Sequence, residues 1–328
     1  MRTTTRAFAL DEAELNYRHT LHIAGARCEI LTNSRDLIIG LENWHTSFAP
    51  SGRSFSMQVF VTEDFKPRAP QPHFRGMNHL VTACFGEADI FLFDLLRRNV
   101  DAIVTRTTAS DAQFWERVVL PVTIGILGAC LGSVPVHCAC LAIDGQGLLI
   151  AGQSGVGKST LAVAMAQAGF TLVSDDWTYI TDDGDLLANG LFAPVKLMPD
   201  AIEHFPELAQ STLTESLNGE LVFELSAAEV FGASLGASCQ PRMFLFLERT
   251  GAGGLELNRI ASQLASLYLE DSVERIPARL VTAQKERSRI LASLTELPCW
   301  LLRYSGTPAS AVHELRCFFD QQLEALIA

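Results

Sequence analysis

The chain has 328 residues, of which 48% are apolar and 19% are charged, and its net charge is −12. This length and composition are typical of a globular protein of about two domains, and they exclude a disordered tail or a collagen-like fibre. Phosphate backbones repel an acidic chain that lacks a run of Lys or Arg, so we expect no general nucleic-acid binding.

The first 110 residues have the pattern of a mixed α+β region rich in strands. Runs at 28–32, 56–62 and 79–85 are typical of strands, and a proline-rich loop is predicted over 66–72. The apolar segment 90–96 fits either a strand or a helix. No catalytic constellation stands out before residue 130. We therefore predict an N-terminal domain over 1–110, with acceptor or partner recognition as its candidate role, and a second domain over 111–328.

An uncharged stretch from Val118 to Ile143 opens the second region, and its length would suffice to span a membrane. Pro121 and several glycines interrupt it, and it leads directly into a glycine-rich loop. We therefore predict a buried helix over 111–130, a turn over 132–135 and a buried strand, with no membrane partner. A membrane span is the alternative.

The segment 152–159 fits the pattern G-x-x-x-x-G-K-[ST] in full. A strand is predicted over 147–151 before it and a helix over 158–168 after it. Glycines let the backbone turn so that its N–H groups point inward, and these donors form an anion site with the helix N-terminus. Lys158 suits the β- and γ-phosphates, and the Ser159 hydroxyl suits Mg²⁺. The pattern predicts nucleotide binding, but it does not separate a kinase from an ATPase or GTPase.

A pair of aspartates, Asp175 and Asp176, follows the strand predicted over 170–174. One short helix, one turn and one strand separate the pair from Lys158, so the strand end can return to the loop. One carboxylate there can hold the water shell of magnesium, and the other can accept a proton from an attacking hydroxyl. Adjacent strand residues point to opposite faces, so we predict one role each. The alternative is an aspartate pair that caps a turn.

Other polar residues carry weaker signals. His137 lies on the strand before the loop, where a satisfied core histidine is the common alternative to a functional one. Lys196 is either a second phosphate contact or a solvated charge, and Glu248, at the end of a predicted strand, is a weaker magnesium candidate. Asp182 and Asp183 lie in a predicted hairpin turn. Further elements are predicted as strands over 242–248 and 300–304 and helices over 259–268 and 309–326.

Cysteine usage and the N-terminus indicate the compartment. The eight cysteines are scattered without a C-x-x-C pair, which is typical of free thiols in a reducing environment. No apolar segment with a cleavage site follows Met1, so we expect no secretory signal and a cytoplasmic location.

The order of these features resembles the catalytic domain of HPr kinase/phosphorylase. It is more similar still to the broad group of HPr-kinase-like bacterial proteins, which includes kinases that modify serine on small peptides. The shared order is a histidine strand, a phosphate loop, a short helix, a strand and paired aspartates, over about 137–180. The resemblance is looser through 194–197 and 242–248 and absent before residue 110. It implies an α/β fold, with an HPr-kinase/PEP-carboxykinase-like P-loop core beside the N-terminal mixed α+β domain.

The resemblance also implies roles for individual residues. Asp175 would take the proton from the acceptor hydroxyl, and Asp176 would lie near the metal and the acceptor. HPr kinases carry Glu where this chain has Thr160, so HPr itself is not carried over as the acceptor. The implied catalytic residues are Asp175, Asp176, His137 and Lys158, and the implied metal ligands are Ser159 and Asp176. The implied nucleotide contacts are Gly152, Gln153, Ser154, Gly155, Val156, Gly157, Lys158, Ser159, Thr160 and Lys196.

We predict an ATP- and Mg²⁺-dependent phosphotransferase that moves a phosphoryl group to an alcohol. Serine of a peptide, protein or small molecule is the expected acceptor. Two alternatives stay open: a P-loop ATPase or nucleotide switch without an acceptor, and a non-catalytic nucleotide-sensing adaptor. Relatives assemble into oligomers, so a homo-oligomer is left open, although no interface pattern is legible in the sequence. No motif identifies the acceptor or separates ATP from another nucleotide.

Overall fold

The computed structural model describes residues 14–42, 44, 52–63, 68–69, 72–191, 193–216, 218–251 and 254–327. Over these ranges the strands form a seven-stranded sheet, an eight-stranded sheet and a small three-stranded sheet. The α/β fold class predicted from the sequence is confirmed.

The N-terminal sheet has the order β1-β2-β3-β7-β6-β5-β4, with β3 parallel to both β2 and β7. The predicted strands are confirmed, and the ambiguous segment 90–96 forms a strand. The predicted proline-rich loop lies largely outside the described residues. The first strand was not predicted, because its alternation includes Arg18 and two histidines. The seven strands are β1 (Tyr17–Ile23), β2 (Ala26–Thr32), β3 (Ser54–Thr62), β4 (His73–Met77), β5 (Leu80–Cys84), β6 (Ile90–Asp94) and β7 (Asn99–Thr105).

Three helical segments accompany this sheet: α1 (Arg35–Leu41), α2 (Arg106–Ser110) and one long stretch that we call the apolar helix, Ala112–Leu131. The buried side of the apolar helix packs into the core of the N-terminal sheet through Trp115, Leu120 and Ile124. It consists of α3 (Ala112–Phe114), a π-helical turn (Trp115–Val119), α4 (Leu120–Leu127) and a final 3₁₀ turn (Gly128–Leu131).

The apolar helix is the segment for which the sequence left core and membrane readings open. By length and composition alone it could cross a membrane, yet 44% of its apolar window is buried inside the protein. The predicted helix over 111–130 and the turn after it are confirmed. The domain boundary at 110/111 stays a prediction, and the helix that follows it packs on the N-terminal sheet.

The second sheet carries the glycine-rich loop. Its order is β10-β8-β11-β12-β16-β18-β17, and β9 lies between β8 and β16, antiparallel to β8 and parallel to β16. The strands predicted before the loop and after the helix are confirmed. The eight strands are β8 (Val134–Ile143), β9 (Gln146–Gly152), β10 (Thr171–Ser174), β11 (Trp177–Asp182), β12 (Leu186–Asn189), β16 (Ser238–Arg249), β17 (Glu256–Arg259) and β18 (Cys299–Tyr304).

Helices cover both faces of the second sheet. Leu161 and Phe319 belong to the core on one face, while Leu269 and Ile290 belong to the core on the other. The helix predicted over 259–268 begins only at Ser262, because the residues before it pair as β17. The helix over 281–296 was not predicted, since its buried face is narrow. These helices are α5 (Lys158–Gln167), α6 (Ala227–Phe231), α7 (Ser262–Glu270), α8 (Val281–Glu296) and α9 (Pro308–Ile327).

The third sheet is short and lies beside the site. It has the order β13-β15-β14, with antiparallel pairing throughout, and two 3₁₀ turns, Pro199–Glu203 and Pro206–Gln210, follow its first strand. Lys196 lies in that first strand. The strands are β13 (Val195–Leu197), β14 (Leu213–Glu215) and β15 (Leu221–Leu225).

Candidate active site

The glycine-rich loop connects β9 to α5. Its glycines at 155 and 157 adopt φ angles of 77° and 99°, the left-handed region that side chains with a Cβ rarely adopt. A Cβ at Gly155 would meet no atom within 4 Å, so backbone conformation and not space requires glycine there. At Gly152 the requirement is space, since a Cβ would lie 2.7 Å from the carbonyl oxygen of Leu247 on β16.

Lys158 is the first residue of α5 and is buried within this loop. Its Nζ donates to the carbonyl oxygens of Gly152 at 2.9 Å and Gln153 at 3.2 Å. Burial lowers the pKa of the Lys158 ammonium, while the charge of Asp176 opposes that shift. A positive charge is therefore held at the N-terminus of a helix, where backbone N–H groups also favour an anion.

Asp175 lies at the bend between β10 and β11, not on a strand as the sequence reading assumed. The residue is only 6% exposed. Its Oδ2 accepts the backbone N–H of Lys196 at 3.2 Å, and its carbonyl oxygen accepts the Ser159 hydroxyl at 3.4 Å. The second contact brings the aspartate pair to the first turn of α5, directly after the loop.

The environment of Asp175 favours its neutral form. Burial, followed by the negative charge of Asp176, raises the pKa of Asp175 from its ordinary 3.8 to about 7. The Lys196 N–H and the Lys196 charge oppose this rise. A carboxyl group whose pKa lies near the working pH is suited to accept and release a proton.

Asp176 is held in the opposite state. Burial alone would raise its pKa, but the hydrogen bond and charge of His137, with the charges of Lys196 and Lys158, bring it below its ordinary value. The His137 Nε2 lies 2.8 Å from Asp176 Oδ1, and the imidazole stacks on Trp177 with ring centroids 5.1 Å apart. Asp176 is thus a fixed carboxylate beside a carboxyl that can titrate. The sequence predicted one role for each carboxylate on opposite faces of a strand; the structure places the pair at a bend, where the two side chains have different surroundings, and the roles stay a prediction.

The oxygen donors here suit a magnesium ion. Mg²⁺ in proteins is commonly bound by one or two carboxylates together with substrate phosphates and water. The Ser159 hydroxyl and the Asp176 carboxylate offer such donors next to the loop. Within the described part of the chain, no group of three or more His, Cys, Asp or Glu side chains could hold a metal ion by itself.

The other acidic candidates have structural partners. Glu248 accepts hydrogen bonds from Tyr268 and from Arg303, both at 2.8 Å. Asp182, at the end of β11, accepts from Arg289 at 2.6 Å, which ties the predicted hairpin turn to α8. Both carboxylates therefore already have hydrogen-bonding partners within the protein, and neither needs a ligand to account for its position.

Sequence reasoning missed Gly190, which supports the site from behind. A Cβ at this position would lie 1.8 Å from the carbonyl oxygen of Val173, so only glycine allows this approach to β10, the strand that precedes Asp175. In sequence, Asn189-Gly190 is typical of a turn, and nothing in it indicates a packing contact.

Comparison with known proteins finds a family similarity over the segment that contains the glycine-rich loop. Residues 131–195 match the family model of the HPr Serine kinase C-terminal domain. The P-loop core of this chain is HPr kinase-like. The matched range contains His137, the glycine-rich loop and both aspartates, whereas Lys196 and the weaker candidate Glu248 lie beyond it.

Several curated relatives have the same printed name, HPr kinase/phosphorylase. The protein of Exiguobacterium sp. (strain AT1b) is 33% identical over 122 residues, which is 37% of this chain and 33% of the relative. The protein of Bacillus mycoides (strain KBAB4) is 37% identical over 99 residues, or 30% of each chain. The alignments thus span about a third of the length of these relatives. At the level of the family, this part of the chain is similar to HPr kinases.

One of the solved structures similar to this chain has a related name. The Hpr(Ser) kinase/phosphatase from Coxiella burnetii has 14% sequence identity and a TM-score of 0.29, over 58% of this chain and 94% of that one.

Proposed function

We propose that this protein transfers the γ-phosphoryl group of ATP to an alcohol, with serine as the acceptor residue. The observation that carries the proposal is the pair Asp175 and Asp176 beside the loop lysine. One carboxyl has its pKa raised to about 7, while His137 keeps its neighbour ionised. Two adjacent acids with opposite pKa shifts are typical of acid–base machinery.

In the proposed reaction, ionised Asp175 accepts the proton of the acceptor hydroxyl. The acceptor oxygen forms a bond to the γ-phosphorus while the bond from that phosphorus to the bridging oxygen of ADP breaks. The products are the phosphorylated alcohol and ADP, and Asp175 then releases its proton to water. A pKa near 7 allows both halves of this cycle at neutral pH.

The remaining residues stabilise charge and position groups. Lys158 and the backbone N–H groups of the loop would hold the phosphates and stabilise the charge of the transferred group. Ser159 and Asp176 would hold Mg²⁺, which supplies charge neutralisation on the phosphate oxygens. His137 positions Asp176 through its 2.8 Å contact. A cytoplasmic location is part of this proposal.

The test is the substitution Asp175→Asn, assayed with γ-labelled ATP, Mg²⁺, serine peptides and free serine. Asparagine keeps the shape and can still accept the Lys196 N–H, but it cannot take a proton. We expect transfer to fall by about 10²–10⁴-fold, the usual contribution of a general base. Nucleotide affinity should stay within a few fold.

The matched control is Asp185→Asn, which removes an exposed carboxylate from the β11–β12 hairpin. It should behave as the unchanged protein does. Undiminished transfer by Asp175→Asn would refute the proposal. Label recovered only as inorganic phosphate with every acceptor would favour a nucleotide switch or ATPase.

A further inference from the structure

The apolar helix has two apolar sides, and one of them is fully buried in the core of the N-terminal sheet. Trp115 and Ile124 are fully buried against the N-terminal sheet. On the other side Val118, Val122 and Ile126 are half-buried, and Gly125 is exposed. These three side chains pack at the edge of the same core and keep part of their surface uncovered, so this side of the helix has apolar surface that the core does not bury.

The second side lines a cavity, which we call the chamber, between the apolar helix, the N-terminal sheet and the aspartate pair. Its volume is about 1540 Å³, above the range of about 300–1,000 Å³ that is usual for small-molecule sites. None of residues 152–160 lines it, so this volume is separate from the phosphate loop. Its apolar wall from the helix consists of Val118, Pro121, Val122, Gly125, Ile126 and Ala129.

The chamber reaches the proposed reaction centre, because Asp175, Asp176 and Lys196 are also part of its wall. We infer that the acceptor is a serine in an extended polypeptide segment with apolar neighbours, which fills the chamber and presents its hydroxyl to Asp175. This inference rests on the proposed function and names its substrate class. The size of the chamber favours a segment of several residues over a small metabolite.

The polar part of the wall favours a peptide over a hydrocarbon chain. Glu224, Glu274 and Arg275 line the same chamber as the apolar side chains. A lipid tail would cover such charged groups without offering them partners, which is costly. The amide N–H and carbonyl groups of a peptide can hydrogen-bond to them.

An edge strand at the chamber wall offers further recognition of a peptide backbone. The strand β4 lies at the end of the N-terminal sheet, and among the described strands it pairs with β5 alone. All five of its residues are exposed, and Phe74 of this strand lines the chamber. An unpaired edge of this kind binds extended peptides by adding a strand.

The test compares four acceptors with the full chain, ATP and Mg²⁺. They are a serine peptide flanked by Leu and Val, the same peptide flanked by Gly and Asn, free serine, and a long-chain primary alcohol in micelles. We expect the apolar peptide to exceed the polar one by about tenfold in kcat/KM, the effect of one or more buried apolar groups. Equal rates for peptides and free serine, or a preference for the long-chain alcohol, would overturn the inference.

The substitution Gly125→Trp fills the chamber from the helix. A Cβ there meets only the Tyr179 hydroxyl, at 4.0 Å, so the backbone need not move. We expect KM for the apolar peptide to rise about tenfold with kcat little changed. Gly52→Trp is the matched control, because a Cβ at that exposed glycine meets nothing within 4 Å and the residue lies outside the chamber.

A second variant, Val122→Ser, removes apolar surface without filling space and should also raise KM. Unchanged KM in both variants, with intact circular dichroism and nucleotide binding, would overturn the inference. Peptide binding to Asp175→Asn, measured by fluorescence anisotropy, separates this inference from the proposed function. If peptides bind that variant and Gly125→Trp weakens binding, but the unchanged protein phosphorylates no acceptor, the proposed function fails and the chamber remains a peptide site. If small alcohols are phosphorylated while chamber variants have no effect, the inference alone fails.

Discussion

The reaction centre and the chamber are built in contrasting ways. The predicted reacting groups lie between His137 and Lys196, a span in which each strand and helix follows its neighbour closely. The walls of the chamber include parts of the N-terminal sheet, the apolar helix, the third sheet, and α8 with the segment before it, so residues as far apart in sequence as 72 and 287 line the same cavity. The contrast suggests that chemistry is encoded locally and acceptor choice globally. Substitutions at the reaction centre should therefore lower turnover with every acceptor, and substitutions in the chamber should change which acceptor is used.

Among the changes that test this contrast, the largest effect is expected from Lys158→Ala. Loss of the buried ammonium removes charge stabilisation from the transferred group, and we expect kcat to fall by about 10²–10³-fold. The decrease should be the same for apolar and polar peptides, because Lys158 does not line the chamber. Steady-state kinetics with both peptides, and with the exposed Lys285→Ala as control, measure it. If Lys158→Ala instead changes the ratio of the turnover rates of the two peptides, the proposed separation between reaction centre and chamber is wrong.

The next effect is a pH dependence of turnover. Asp175 must be ionised to accept a proton, and its pKa is about 7. Below that pH, turnover should fall by about tenfold per unit, since the ionised fraction falls in that proportion. Profiles between pH 5 and 8.5 for the unchanged protein and for Gly125→Trp should have the same midpoint. A rate that stays flat across this range would show that another group is the base.

The smallest effect concerns stability. The pKa of Asp175 is raised in the folded state from 3.8 to about 7, so the stability that its neutral form contributes is complete below about pH 4 and is lost as pH rises to about 7. Above pH 7 the Asp175→Asn variant should therefore unfold at a higher urea concentration than the unchanged protein, because its free energy of unfolding should be greater by about a few kcal/mol. At pH 4 the two proteins should be equally stable. Urea unfolding at both pH values measures this, with Asp185→Asn as control. An Asn variant that is less stable at pH 8 would contradict the assigned burial.

Local patterns predicted much of the second half of the chain. The loop at 152–159 and its flanking strand and helix were legible because turn glycines, apolar periodicity and the Lys158 position all act within a few residues. The strand β1 and the helix α8 were not predicted, because their buried residues are interspersed with Arg, His or Lys. Only packing against a neighbouring sheet shows which of their residues are buried. Gly190 is a similar case, since its partner Val173 is brought there by strand pairing.

By itself the sequence determined the glycine-rich loop at the start of α5, which we predict to be an anion site, and the two acids that follow it, because hydrogen-bonding donors and short connections are properties of neighbouring residues. Only the tertiary structure decided that Asp175 is buried and Asp176 is held by His137. It also decided that the apolar helix, whose sequence alone is compatible with a membrane span, lines the same cavity as those acids with its half-buried face. Burial and charge pairing depend on which distant segments exclude water from a group, and no spacing along the chain specifies that.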